Sequence, residues 1–215
     1  MAATKTAEAT AEIQIEALVS ETIKIPILGT TPLICNRMSE KGKREMLARM
    51  QGEKLPKKPK DPEAEFLAAS YRFTPGGSRY GTPSVAFKSA TVSAARLYGN
   101  NVTMVALRQC LFFGGEMGLE GQLLVELEHD GEPIMREDVV KLKRGRTDLR
   151  YRPGFWPWAA VLSVTYIKAQ LTRSSVLSLV DTGGMTVGVG EWRPERKGDF
   201  GTYKINTDKE IEVVE

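Results

Sequence analysis

The sequence GVGEWRPERKGDFG, residues 188–201, places two pairs of glycines on either side of a basic, proline-containing centre. It leads directly into Thr202-Tyr203-Lys204-Ile205, whose alternation predicts a strand. Glycine adopts backbone angles that strain other residues, and it leaves space for a close neighbour. We therefore expect a glycine-rich loop that precedes the last strand of a sheet.

This loop also contains the residue types that nucleic-acid surfaces use. Arg193, Arg196 and Lys197 supply cations, and Trp192 and Phe200 supply flat rings beside them. Cations neutralise phosphates, and aromatic rings stack on bases. A glycine-rich hairpin exposed to water would show the same pattern, so the loop alone leaves both interpretations open.

Composition and residue usage limit the possible chemistry. The 215 residues include 30 basic and 27 acidic side chains, and the net charge of +3 means that any nucleic-acid site depends on where the cations cluster. The single histidine, His129, stands in a turn-like sequence, and Cys35 and Cys110 are far apart. These residues do not supply a nucleophile-histidine pair or a zinc site. We expect no catalysis, no metal and no cofactor.

The densest basic run covers residues 141–153, and Tyr151 lies within it. Alternating cations with aromatic residues close behind are typical of a nucleic-acid face. The other interpretation is a solvated loop whose arginines pair with local carboxylates. Trp158, among apolar neighbours, is expected in the core. The candidate phosphate contacts of this run are Arg146, Arg150 and Arg152.

The rest of the chain alternates strand and helix patterns. Alternation at residues 22–27 predicts a first strand, and a wide apolar stripe after Pro83 predicts the clearest helix. Further strands are expected at 121–128, 138–142 and 158–167. Further helices are expected after Ser39 with Met46, Leu47 and Met50 as the apolar face, after Asp61, at 103–112, and from Thr172 to about Asp181, where Gly183-Gly184 ends it.

This order predicts an α+β fold, with a ferredoxin-like or RRM-like antiparallel sheet, helices on one face and an insertion after the first strand. We expect a disordered tail at residues 1–18, a single domain at 19–208 and a C-terminal tail at 209–215. The insertion should cover about 38–80. Within it, the Lys- and Pro-rich residues 51–60 are expected to form a mobile basic arm.

Three stretches in this order resemble the RAMP superfamily, in particular the CRISPR backbone subunits that polymerise along guide RNA. They are residues 29–37, the proline-started helix with an early lysine at 82–90, and the loop at 188–201. The combination, with its loop closing on Gly-Asp-Phe-Gly, is most similar to bacteriophage and prophage proteins. The resemblance implies a phage protein with a CRISPR-backbone-like fold.

Together these observations predict a phage-encoded protein that binds single-stranded DNA or RNA without reading sequence and assembles as a homo-oligomer or filament. The role would lie in DNA replication, recombination or protection, in the host cytoplasm and without membrane contact. The alternatives are a virion assembly protein and a metal-independent RAMP-type ribonuclease. The predicted nucleic-acid contacts are Arg37, Lys88, Arg146, Arg150, Arg152, Gly188, Gly190, Trp192, Arg193, Arg196, Lys197, Gly198 and Gly201.

Overall fold

The computed structural model describes residues 15–53, 55–56, 59–99, 102–141, 145 and 147–214. The strands in these ranges are β1 (Ser20–Gly29), β2 (Leu33–Ile34), β3 (Gly81–Pro83), β4 (Leu111–Phe113), β5 (Glu116–Met117), β6 (Leu123–His129), β7 (Ile134–Lys141), β8 (Thr147–Phe155), β9 (Trp158–Ile167), β10 (Tyr203–Ile205) and β11 (Glu212–Val214). The α-helices are α1 (Glu40–Met50), α2 (Pro62–Ala69), α3 (Ser84–Ala94), α4 (Met104–Cys110) and α5 (Arg173–Thr186).

The larger sheet follows the path β10-β1-β9-β6-β3, and each neighbouring pair is antiparallel. Its central elements in chain order are β1, α3, β6, β9, α5 and β10, which is a βαββαβ unit. The four strands of that unit stand in the order fourth, first, third, second across the sheet. This is the ferredoxin-like arrangement, so the predicted fold class is confirmed.

The core lies between this sheet and its two long helices. Ile23, Ile25 and Ile27 of β1 are buried, and so are the alternate residues of β9 from Trp158 to Tyr166. Because successive side chains of a strand point to opposite faces, these residues form one apolar face. The helices α3 and α5 cover it, and Phe87 and Tyr203 meet edge-on at 5.6 Å.

The predicted end of α5 at Asp181 is wrong. The helix continues to Thr186 through the two glycines that were expected to stop it. A Cβ atom on Gly183 would collide with the Ala90 backbone, and one on Gly184 would collide with Tyr203. These glycines therefore allow close packing of α5 on α3 and β10, and tertiary contact outweighs their low helix propensity.

The insertion after β1 contains β2, α1, α2 and β3, and Ser39 and Asp61 cap the two helices as expected. The assignment of Met46, Leu47 and Met50 as the packed face of α1 is wrong. Their exposed fractions are 44, 55 and 79%, and the buried residue of this helix is Ala48. Apolar side chains exposed together on a surface are typical of a contact site, because burying them in a contact removes them from water.

Strands β2, β8 and β7 form a second, three-stranded sheet. The described part of the basic run from residue 147 onward is therefore strand β8, not a solvated loop, and it pairs with β7 along its length. Residues 142–144 and Arg146 lie outside the described residues. The C-terminal residues are not simply a tail either, since β11 pairs with β1. Most of the expected N-terminal tail, residues 1–14, also lies outside the described residues.

Candidate nucleic-acid interface

The glycine loop at residues 188–201 folds back on its own chain. Gly188, Gly190 and Gly201 have positive φ angles of 69, 77 and 67°. The Val189 amide donates to the Gly201 carbonyl at 2.9 Å, and the Gly201 amide donates to the Pro32 carbonyl at 2.8 Å. These glycines therefore allow tight internal turns, and the Val189 and Gly201 amides donate to carbonyls of the protein itself.

Gly190 and Gly198 also have close protein neighbours. A Cβ atom at Gly190 would collide with the Ile34 carbonyl, and one at Gly198 would collide with the Trp192 carbonyl. The Glu191 amide donates to the Ile34 carbonyl at 2.9 Å, which holds the loop against β2. The close approach expected from a polymer backbone is thus made by the protein's own backbone.

The two rings of the loop pack on arginines of the second sheet. Arg152 lies 5.1 Å from the centre of the Trp192 ring, and Arg136 lies 5.1 Å from that of Phe200. The two arginines are register partners on β8 and β7, and the ring centres are 6.0 Å apart. These cation–π contacts fix the loop to the sheet. Trp192, a predicted nucleic-acid contact, therefore packs on an arginine of its own chain.

Arg152 belongs to a buried ion network. Its side chain is 1% exposed, and Nη2 donates to Asp138 Oδ2 at 2.8 Å, while Nη1 donates to Glu191 Oε2 at 3.4 Å. Arg136 donates to the other Asp138 oxygen at 3.0 Å. The predicted surface role of Arg152 is corrected, because a guanidinium that is 1% exposed and ion-paired with Asp138 and Glu191 joins β8 to β7 and the glycine loop rather than reaching a phosphate.

Beside this network lies an open cleft of about 530 Å³, which we name the basic cleft. Its walls come from the β2–α1 connection, the start of α1, the α2 region and β8. Five cations line it against three carboxylates. The lining is Asn36, Arg37, Met38, Ser39, Lys41, Gly42, Glu45, Met46, Lys60, Glu65, Ala69, Asp148, Arg150, Tyr151 and Arg152.

Hydrogen bonds and ion pairs organise the walls of the basic cleft. Lys60 contacts Asp148 at 2.7 Å and also donates to the Leu149 carbonyl, and Arg150 lies 3.4 Å from Asp148. The hydrogen bond from Lys60 is the largest cause that lowers the pKa of Asp148. Lys41 is exposed and has no carboxylate partner among the described residues. Lys41 and the partly exposed Arg150 are therefore the cations most available to a ligand.

Comparison with known proteins finds no matching family model and no matching curated protein. A chain in the cryo-EM structure of the Type III-B Cmr-beta bound to cognate target RNA aligns with a TM-score of 0.46 and 10% identity. The alignment covers 91% of this chain and 61% of that one. The crystal structure of Cmr6 from Pyrococcus furiosus aligns with a TM-score of 0.42 and 12% identity, over 88% of this chain and 100% of that one. At these TM-scores the fold assignment rests on the observed strand order.

The remaining predicted contacts are distributed over several places. Arg37 donates to the Ala68 carbonyl at 2.9 Å and pairs with Glu120, so it braces the cleft wall. Arg193 is held by Glu195 at 2.8 Å. Lys88 donates to the Arg108 carbonyl at 3.0 Å and lies over Phe112, in contacts separate from the glycine loop and the basic cleft.

Arg196 and Lys197 are exposed at the tip of the glycine loop, as expected for phosphate contacts. Neither has a carboxylate partner in the part of the chain that the structure describes.

Sequence reasoning missed the cleft residues Lys41 and Lys60. Lys60 is the last residue of the arm that was expected to be mobile, and its contacts with Asp148 and Leu149 of β8 fix the C-terminal end of that arm. The other lysines of that arm, Lys54, Lys57 and Lys58, lie outside the described residues.

The opposite face of the larger sheet carries a shallow groove of about 880 Å³, which we name the open-face groove. Its position follows from strand alternation, because Lys24, Val161 and Ser163 alternate with the buried core residues of β1 and β9. Four glutamates and two lysines line it, and none of its lining residues is aromatic.

No helix in the described ranges is long and apolar enough to cross a membrane.

Proposed function

We propose that this chain binds single-stranded nucleic acid, DNA or RNA, through the basic cleft, with Arg196 and Lys197 extending the contact. The observation that carries the proposal is that one cleft collects cations from three separate segments, around Lys41, Lys60 and Arg150. Arg37 and Arg152 are paired with Glu120, Asp138 and Glu191, so the local positive field comes mainly from the exposed Lys41 and the partly exposed Arg150. Such a field attracts phosphates whatever the base sequence.

The open-face groove argues for this location by contrast. RRM-type sheets bind RNA on that face with aromatic side chains that stack bases. Here four glutamates and two lysines line the groove, without an aromatic side chain. Carboxylates repel phosphates, so the polymer is expected on the basic cleft.

We further propose that copies of the chain assemble on the strand, and that binding occurs without cleavage. The exposed Leu47, Met50 and Leu67 of the insertion are 55, 79 and 51% exposed and offer an apolar contact surface. The role would be in phage DNA replication, recombination or protection, as the resemblance of the loop to phage proteins suggests. A virion assembly protein would use the same surface without nucleic acid.

The test of the binding site is a pair of charge-matched variants. Lys41→Ala with Arg150→Ala removes two cations of the basic cleft, and Lys24→Ala with Lys204→Ala removes two exposed cations elsewhere. Anisotropy titrations with labelled single-stranded and duplex oligonucleotides, over a range of salt, would compare them. We expect the cleft pair to lose affinity and its salt slope to fall by about 0.7 per lost contact, with the other pair close to the parent.

Equal behaviour of the two pairs would place the site elsewhere. A parent protein that binds neither DNA nor RNA, yet still self-associates, would favour the assembly role instead. Light scattering with and without a long oligonucleotide measures that association. Shortened oligonucleotide on a gel would indicate the ribonuclease alternative.

A further inference from the structure

Two methionines stand out in the lining of the basic cleft, which is otherwise mostly charged or polar. Met38 is 53% exposed and Met46 is 44% exposed, and both line the cleft. Met38 lies along the first turn of α1, since a Cβ atom on Gly42 would be 3.8 Å from its Cγ. Neither methionine belongs to the buried core.

Exposed apolar surface inside a charged cleft is unfavourable in water, and a ligand with an apolar face relieves it. The phosphates of a single strand require the cations, and its unpaired bases have apolar faces. Methionine is flexible and polarisable and makes favourable sulfur–aromatic contacts with flat rings. Tyr151, on β8, adds an aromatic side chain to the same lining.

We infer that Met38 and Met46 form the base-contacting wall of the basic cleft and give it a preference for single strands over duplex. The inference rests on the proposed function and adds a specificity determinant to it. In a duplex the base faces are stacked inside the helix, so a duplex presents phosphates to the cations and no base face to the methionines. The cations Lys41 and Arg150 then set the salt dependence, and the methionines set the part of the affinity that salt does not affect.

The experiment compares Met38→Ser plus Met46→Ser with Met117→Ser plus Met185→Ser. The second pair is 59 and 66% exposed and lies outside the cleft lining, so it matches the loss of methionine without touching the site. Affinity for matched single-stranded and duplex oligonucleotides is measured by anisotropy over a range of salt. Melting temperatures confirm that each variant is folded.

We expect the cleft pair to weaken single-strand binding about five- to tenfold, at the lower end of the range for base-stacking contacts, with an unchanged salt slope. Duplex binding should change little, so the preference for single strands falls. A reduced salt slope, an equal loss for both oligonucleotides, or equal behaviour of the two methionine pairs would overturn the inference.

Two other outcomes distinguish a failure of this inference from a failure of the proposed function. Unchanged oligonucleotide affinity with weaker self-association would assign the methionines to a contact between copies and refute the base wall. A parent protein that binds no oligonucleotide at any salt would refute the proposed function itself. The first outcome leaves nucleic-acid binding in place, so the two failures are distinguishable.

Discussion

The basic cleft and the open-face groove of the larger sheet differ in the balance of charge in their linings. Five cations and three carboxylates line the cleft, although Arg37 and Arg152 pair with carboxylates outside it, while two lysines and four glutamates line the groove. The cleft is built by the insertion and the second sheet, and the groove by the strands of the ferredoxin-like unit. The added elements, rather than the common fold, therefore carry the surface suited to a polyanion.

The two regions also differ in what lies beneath them. The basic cleft rests on the network of Arg136, Asp138 and Arg152, with the glycine loop packed over the arginines. The open-face charges form surface ion pairs, such as Lys24 with Glu212 at 3.3 Å. Surface pairs contribute little to stability, whereas breaking a buried pair is costly. Variants in the two regions therefore separate these contributions.

The largest effect is expected from Arg152→Met, which removes the buried cation beneath the basic cleft. Asp138, which is 5% exposed, would then lose one of its two arginine partners. We expect a loss of about 3–5 kcal/mol in the free energy of unfolding, measured by denaturant titration. Arg150→Met on the same strand is the control and should cost little. A variant as stable as the parent would show that the pair is not essential to the second sheet.

The next largest effect is expected from Gly190→Ala in the glycine loop. This position combines a φ of 77° with a Cβ collision against the Ile34 carbonyl. Strain and overpacking together should cost about 2–4 kcal/mol. Gly131→Ala is the control, because its φ is 65° but nothing lies near its Cβ, and it should cost about 1 kcal/mol. Equal losses in thermal unfolding would mean that the loop is not packed tightly on β2.

A smaller effect is expected from Trp192→Leu. It removes the ring that packs on Arg152, so unfolding should become easier by about 1 kcal/mol, as measured by denaturant titration. Oligonucleotide affinity should remain near that of the parent, since the ring has an internal contact. Trp156, which is 49% exposed, provides the control Trp156→Leu. A large loss of affinity with unchanged stability would instead support base stacking by Trp192.

The smallest effect is expected from Glu210→Gln with Glu212→Gln in the open-face groove. Charge is felt over about 8 Å at physiological salt, so these changes should tighten oligonucleotide binding by less than about threefold, and only at low salt. Anisotropy titrations at low and physiological salt provide the measurement. A change as large as that from Lys41→Ala with Arg150→Ala would mean that the polymer lies along the open face.

The sequence predicted the ferredoxin-like core well because its signals are local. The strand at 158–167 matches β9, and the Ser39, Asp61 and Thr172 caps stand at the starts of their helices. Alternation and capping depend on neighbours within a few residues, so they can be recognised from the sequence alone. The position of the glycine loop between α5 and β10 was likewise confirmed.

The candidate site could be predicted only in part, because local sequence signals do not show which residues pair across the fold. A cation near Tyr151 gives the same pattern whether it is exposed, as Arg150 partly is, or buried, as Arg152 is. The difference arises because β8 pairs with β7 and brings Asp138 opposite Arg150 and close to Arg152, a contact between distant residues. Lys60 was missed in the same way, since its partner Asp148 lies far along the chain.

The sequence by itself thus determined the α+β class, the order of the strands and helices of the ferredoxin-like unit, and the presence of two basic, aromatic segments. Only the tertiary structure decided which glycines meet protein backbone, which arginines are buried and which cations share a cleft. The physical reason is that periodicity fixes the face on which a side chain lies, while burial and charge pairing depend on which distant segment packs there. In this chain the second sheet brings Arg152, Trp192 and Glu191 together and separates them from the exposed Lys41, Arg150, Arg196 and Lys197.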